Sequence, residues 1–448
     1  MAANASLAAF TRTATSISKL FHSRHYKSFC CHKNATTVKR FVRCFASLKD
    51  ILQQPENLPP KVAEVPHSDS NHVSEHIFSS YRQESVVRAS RAETNDPVLH
   101  GVEDLSKFYT LDKDVISSLA LQKISRQDFT ARSHAFQECA LMVREPALEC
   151  LELIKCAVHP DLISSKAVLY GKNGCGKSLT FAHVLNACYN KNWFIVSPLK
   201  PNVWRFHYKE VALSTRKTGR VDLPLEAVDF LSHIKHTNKN VFEKFGSQMR
   251  THDTYVWSKR EETPSNTLLE ELIEYGIERP KYSADVLGVL LKEVRLYSHE
   301  WPTSTVLAID GVNGFFGATN LFVDREKKQS LLPTGISMVH NLVKLISSEW
   351  KNGFMLLTVD TNYEHADHRQ SHHPRYLLNE AGFDILNPFI PIEVSDYNEE
   401  EVHSALDYFI EHRWIQNESY RTSRQAREEL IFLSGKNPLF LDKAIRSI

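Results

Sequence analysis

At 448 residues, with 42% apolar and 24% charged side chains, the chain has the composition of a folded protein large enough for more than one structural unit. No run of about 18 apolar residues occurs, so a membrane-spanning helix is not expected. The formal net charge of +1 conceals an asymmetry, because residues 1–49 hold Lys and Arg but no Asp or Glu, and the remainder is mildly acidic. Global charge therefore gives no argument for nucleic-acid binding.

The acid-free N-terminus reads as a mitochondrial presequence over residues 1–48, rich in Arg, Lys, Ser and Thr. Leu7, Phe10, Ala14, Ile17 and Phe21 share one helical face, with Arg12 and Lys19 off it. A basic arm that binds RNA is the alternative. Residues 49–105 are polar and Pro-punctuated, with no sustained period, and read as an extended arm that orders against a partner. From Lys107, apolar spacing through Phe136, Ala140, Leu141, Leu148, Leu151 and Ile154 predicts helices leading into the first strand, the second opened by Pro146.

Ala167–Tyr170 is a short apolar run, and Leu179, Phe181, Val184, Leu185 and Cys188 recur at helical spacing. Between them lies Gly171-Lys172-Asn173-Gly174-Cys175-Gly176-Lys177-Ser178, a full match to G-x-x-x-x-G-K-[ST]. Strand, glycine-rich loop and helix form the context in which backbone N–H groups and a helix N-terminus cradle phosphates. Lys177 then reaches the β- and γ-phosphates, and the Ser178 hydroxyl ligates Mg²⁺. A nucleoside triphosphate or diphosphate is the expected ligand.

Four further apolar runs follow: Trp193–Val196, Thr305–Ile309, Phe354–Val359 and Phe389–Val394. Five short strands separated by helical sequence predict an α/β fold, a parallel five-stranded sheet of the P-loop NTPase type. The nucleotide-binding domain is expected over 106–397. Residues 198–304 are too long for one crossover and read as a helical insertion, with helical patterns near 223–245, 267–275 and 283–297. Residues 398–448 read as a C-terminal helical lid, one face formed by Val402, Ala405, Leu406, Phe409 and Ile410.

Asp310 ends its strand where a carboxylate reaches the Mg²⁺ held by Ser178. Many P-loop ATPases with an added central strand place a water-polarising Glu next; here the residue is Gly311. Hydrolysis is expected to be slow or absent unless Glu364 or Asp360 serves. Thr358, at the end of another strand, is a candidate γ-phosphate sensor. In the lid, Ser434-Gly435-Lys436-Asn437-Pro438 interrupts helical sequence, and Pro438 is a candidate cover for the base. Asn190-Lys191-Asn192-Trp193 lacks the carboxylate of the guanine-reading Asn-Lys-x-Asp pattern, so GTP and ATP stay open on residues alone.

The run His365, His368, His372 and His373 reads as an exposed loop in preference to a metal site. Arg325, Lys327 and Lys328, with Arg216, Lys217 and Arg220, form small basic patches that either meet rRNA phosphates or are solvated. Eight cysteines show no C-x-x-C pair or zinc spacing, which suits reduced thiols.

Over about residues 91–448 the chain resembles the death-associated protein 3 family, the GTP-binding proteins of the mitochondrial small ribosomal subunit. The resemblance rests on Glu93–Pro97 with His100-Gly101, Glu138–Arg144 with Pro146–Glu149, and the phosphate loop. It continues through Tyr255–Glu261, Ile309–Asn313, Gly382–Asp384 with Asn387–Pro391, and Leu433-Ser434 with Asn437-Pro438. It implies a structural, guanine-nucleotide-binding component of the mitoribosome in the matrix, holding GTP or GDP with Mg²⁺. Small-subunit rRNA, neighbouring ribosomal proteins and large-subunit proteins at inter-subunit bridges are the implied partners, and an apoptotic role the implied side function. Nucleotide contacts carry over to Gly171, Asn173, Gly174, Cys175, Gly176, Lys177 and Ser178, with Asp310 beside the metal. Cys175 and Ser178 stand where relatives have Thr; Ser178 keeps the hydroxyl. The competing expectation is a free mitochondrial P-loop NTPase that cycles to remodel a partner.

Overall fold

The computed structural model describes residues 87–124, 127–157, 162–199, 201, 203–324, 329–363 and 371–448. The presequence, most of the expected arm, Glu364, His365, His368, Arg325, Lys327 and Lys328 lie outside the described residues. The described part of the arm is packed: Ala89 and His100 are buried, and Ala89 N–H donates to Glu411 in the lid.

In chain order the elements that position the site are strand β1 (Phe108–Thr110), helix α1 (Gln127–Phe136), strand β2 (Ala140–Met142), helix α2 (Glu145–Ala157), strand β3 (Ser165–Tyr170), helix α3 (Lys177–Asn190) and strand β4 (Phe194–Val196). Then follow α4 (Pro224–Thr237), α5 (Leu269–Glu278), α6 (Pro280–Tyr297), β5 (Thr305–Ile309), α7 (Ser337–Ser347), β6 (Gly353–Thr358), α8 (Asn379–Leu386) and β7 (Ile390–Glu393). Helices α9 (Glu399–Glu411), α10 (Arg424–Ser434) and α11 (Pro438–Arg446) close the chain. One expectation is corrected here. Ala140 and Leu141 belong to a strand, since β2 pairs antiparallel with β1 in the register Tyr109 to Leu141.

The central sheet has the order β7-β3-β6-β5-β4, and every pairing is parallel. Its strands are short apolar runs because helices cover both faces; every residue of β5 and β6 is buried. Strand β6 inserts between the phosphate-loop strand and the Asp310 strand, pairing Thr358 with Leu169 on one side and Leu357 with Ile309 on the other. The topology therefore carries the added central strand. Because all five strands run the same way, their C-terminal ends deliver Gly171, Asp310, Thr358 and Val394 to one edge, where ligands enter such sheets.

The stretch 198–304 holds α4, α5 and α6, whose buried faces join the core below the sheet through Leu231, Ile234, Leu272, Leu287 and Leu291. Pro at the first turn of α4 and of α6 suits the donor-free helix start. The lid has its own core of Val402, Leu406, Phe409, Leu430 and Leu441, and Phe108 and Ala140 of the β1–β2 pair pack into it. Residues on both sides of the sheet domain in sequence thus share one apolar cluster. Among the described residues no helix is long and apolar enough to cross a membrane.

Candidate functional site

The loop leaves β3 and enters α3 through Gly176, whose φ of 106° ends the turn and opens the 14-residue helix. Lys177 is buried, and its Nζ donates to the carbonyls of Gly171 (3.0 Å) and Lys172 (2.8 Å) across the loop. The lysine charge is held against the loop backbone, at the centre of the turn that Gly171 and Gly176 bound.

Ser178 Oγ donates to Asp310 Oδ2 at 2.9 Å. Thr358 Oγ1 donates to Asp310 Oδ1 at 2.5 Å and accepts from Gly311 N–H at 2.8 Å. Three strand ends, β3 through its loop, β5 and β6, thereby meet in one side-chain network. Loss of hydration raises the Asp310 pKa, a rise opposed by the Thr358 hydrogen bond, increased by Asp360 and opposed again by Ser178 and Lys177. A carboxylate short of solvation next to a hydroxyl is a hard oxygen pair that suits Mg²⁺, an ion that completes its shell with water and phosphate oxygens. The residues present therefore fit a Mg²⁺–nucleotide. Ser178 and Asp310 would hold the ion, Lys177 the phosphate charge, and bound Mg²⁺ would neutralise phosphate oxygens.

Thr358 was a candidate to sense a γ-phosphate. Its hydroxyl donates to Asp310 and accepts from the Gly311 amide, which ties it to the carboxylate of the site. Asp360 turns its backbone to Asn313, which accepts from Asp360 N–H and donates to Asp360 C=O, both at 3.0 Å. The Asp360 carboxylate accepts from Asn362 N–H.

Gly311 has φ +82°, and a Cβ there would fall 1.6 Å from a ring carbon of Tyr363. The volume in which a water-polarising Glu would start is filled by that ring. Beside it a cavity of about 210 Å³ is walled by Lys123, Phe181, Ser197, Asp310 and Tyr363, and among the described residues that line it the one carboxylate is Asp310. Position 311 therefore neither carries a general base nor has room for one.

The lid closes the other flank of the loop. Asn437 caps α11, accepting from Leu439 and Phe440 N–H, while its Nδ2 donates to Asn173 C=O (3.1 Å) and Asp396 Oδ1 (2.8 Å). Leu439 N–H donates to Gly174 C=O at 3.3 Å. Pro438 lines a cleft with Arg144, Cys175, Gly176, Leu179, Thr180 and Tyr397, between α1, the start of α3 and the lid. The Cys175 side chain is buried, and burial pushes its thiol pKa up; its neutral side chain leaves the backbone as its contribution to the loop. Asn173 is exposed and lies against Asn362.

Sequence reasoning missed the roles of Tyr363, Asn437 and Arg144. For Asn437 a signal existed, because Asn followed by Pro is the pattern of a helix cap with Pro at the first position. His372 and His373 stack on each other, and among the described residues no group of three or more His, Cys, Asp or Glu is placed to hold a metal.

Comparison with known proteins places these features in a family. The family model for mitochondrial ribosomal death-associated protein 3 matches residues 141–444. Small ribosomal subunit protein mS29 of Bos taurus is 34% identical over 370 residues, covering 82% of this chain and 90% of that protein. Its Mus musculus counterpart is 33% identical over 361 residues, covering 80% and 90%. Among solved structures, a DNA replication initiation factor aligns over 68% of this chain and 66% of its own, at 12% identity and a TM-score of 0.25. The family match spans the loop, Asp310, Thr358 and the lid together, and the chain belongs to the mitochondrial ribosomal death-associated protein 3 family.

Proposed function

We propose that this protein is a component of the mitochondrial small ribosomal subunit in the matrix, and that it holds GTP or GDP with Mg²⁺ at the loop 171–178 as a structural cofactor. The assignment to the subunit is supported by relatives of that name aligned over four-fifths of the chain. The nucleotide reading is carried by one observation, the network joining Ser178, Asp310 and Thr358 beside the Lys177 loop. Slow or absent hydrolysis follows from Tyr363 standing where a catalytic carboxylate would begin. That arrangement disfavours a freely cycling NTPase. Partners on this reading are small-subunit rRNA, adjacent ribosomal proteins and large-subunit proteins at bridges.

Sedimentation of mitochondrial lysate through sucrose tests the first part: the chain is expected with the small subunit, and its absence from those fractions overturns the assignment. Nucleotide released on denaturing the purified subunit tests the second. A guanine nucleotide at about one per subunit is expected, and none, or an adenine nucleotide, refutes the ligand.

A further inference from the structure

Arg144 follows β2 at the start of α2, far in sequence from both the loop and the lid, yet its guanidinium touches both. Nη1 donates to Cys175 C=O in the loop at 2.8 Å. Nε and Nη2 make a two-pronged pair with Glu401 of the lid at 2.9 and 3.0 Å, and Nη2 also donates to Ser395 C=O at 3.1 Å. The guanidinium lies over the Tyr397 ring at 5.0 Å. Both charged side chains are nearly sealed from solvent, at 7% and 6% exposure. Glu401 is itself committed to the start of α9, accepting from Asn398 N–H while its own N–H donates to Asn398 Oδ1.

We propose that Arg144 is a lock between the phosphate loop and the lid, a positioning residue that sets how slowly nucleotide leaves; this rests on the nucleotide reading above. The lid cannot swing from the cleft without parting Arg144 from Cys175 C=O or from Glu401. Either break leaves a charge without its partner in a buried place, where the cost is high. Burial works against the charged guanidinium, and the Glu401 pair outweighs it, so the lock stays charged. A planar fork makes these contacts; a Lys ammonium at the same place keeps the charge but loses the two-pronged geometry. Asn437, also buried, links the lid to the loop through a neutral hydrogen bond to Asn173 C=O, whereas the next charged pair beside the loop is more exposed. Lys172, which pairs with Asp396, is 65% exposed, and such pairs contribute little.

The test measures release of fluorescent N-methylanthraniloyl GDP, with the ADP analogue in parallel, from the full chain chased with excess unlabelled nucleotide. Arg144→Lys and Glu401→Gln are each expected to speed release about tenfold or more, and the double variant no more than either single, since they remove one interaction. The nucleotide-induced rise in melting temperature shrinks in parallel, which a purely structural role would not produce. Lys436→Gln, which removes an exposed pair with Glu399 inside the lid, leaves release unchanged. Release within about twofold of the parent in both folded lock variants overturns the proposal. Should Arg144→Lys fail to fold, Glu401→Gln alone decides. If the parent chain binds neither analogue, or if Lys177→Ala binds as tightly as the parent, the nucleotide reading itself fails, a result distinct from failure of the lock.

Discussion

Gly174 and Gly219 offer a controlled pair for testing how tightly the lid presses on the loop. Their backbones are nearly alike, at φ +82° and +81°, so an Ala at either position pays the left-handed penalty of about 1 kcal/mol. Their surroundings differ. At Gly219 an added Cβ meets nothing within 4 Å, whereas at Gly174 it falls 2.5 Å from Leu439 Cβ and 2.7 Å from Asn437 Oδ1. Relieving that collision moves the start of α11. The move forfeits the Asn437 cap, about 1 kcal/mol, part of the burial of Leu439, about 1 kcal/mol, and the Asn437 bonds to Asn173 and Asp396, about 1 kcal/mol together. Gly174→Ala should therefore cost about 4 kcal/mol and Gly219→Ala about 1 kcal/mol. Urea unfolding followed by tryptophan fluorescence measures both, and Trp414 packs against the lid core as a local reporter. Equal losses for the two variants would refute the claim that the lid turn bears directly on the loop.

Three other outcomes follow from the site. Asn437→Ala removes an acceptor for two helix N–H groups and a donor to the loop, and should cost about 2 kcal/mol, measured by the same unfolding. Gly311→Glu should destabilise the fold without creating turnover, because the new side chain and Tyr363 compete for one volume; phosphate release above about one per minute in the purified variant would contradict this. His183 on α3 is buried against His100 at 3.1 Å, and burial, with the neighbouring His100, lowers its pKa from the ordinary 6.5 to about 3. Its neutral form is favoured by the fold, so its contribution is complete above pH 6.5 and is lost as pH falls from there toward about 3. His183→Gln should flatten the pH dependence of stability in that window by up to about 1.4 kcal/mol per pH unit, and parallel curves for the two proteins would count against it.

What could be read from the residues followed from how local each signal was. Strands β5 and β6 were legible because they are covered on both faces and so are continuous apolar runs. The loop and Asp310 were legible because each is a short pattern whose chemistry needs those residue types at a strand end. The order of the strands was not, since it is set by pairings between distant runs. The spacing puts Ala140 and Leu141 in a helix for the same reason: strand β2 is three residues long, and its partner lies beyond α1. Arg144 and Glu401 are 257 residues apart, and nothing local to either marks a partner. Gly311 gave half of its message. A Gly after a strand-final Asp showed the missing carboxylate, while Tyr363, the reason no side chain fits, enters from a separate short helix, Thr361–Tyr363.

The placement of these groups decides what a nucleotide held here would do. Catalysis needs a group that acts only in the transition state, and among the described residues lining the adjoining cavity the one carboxylate is Asp310. The groups that meet around the loop come from separate parts of the described fold: the loop from β3, Asp310 from β5, Thr358 from β6, Asn437 and Glu401 from the lid, and Arg144 from ahead of α2. A ligand seated on the loop would be felt by all of them at once. One that binds only the folded form adds about 4 kcal/mol at a thousandfold excess over its dissociation constant. Here that free energy would be shared between the sheet domain and a lid whose apolar core already includes Phe108 and Ala140 from the other end of the described chain. The same linkage would make the lid's docking a function of nucleotide occupancy, so a chain without nucleotide should loosen at α9–α11 before it loosens in the sheet. Hydrogen exchange with and without nucleotide reads this directly, and uniform protection changes across both units would argue against a joint at the loop.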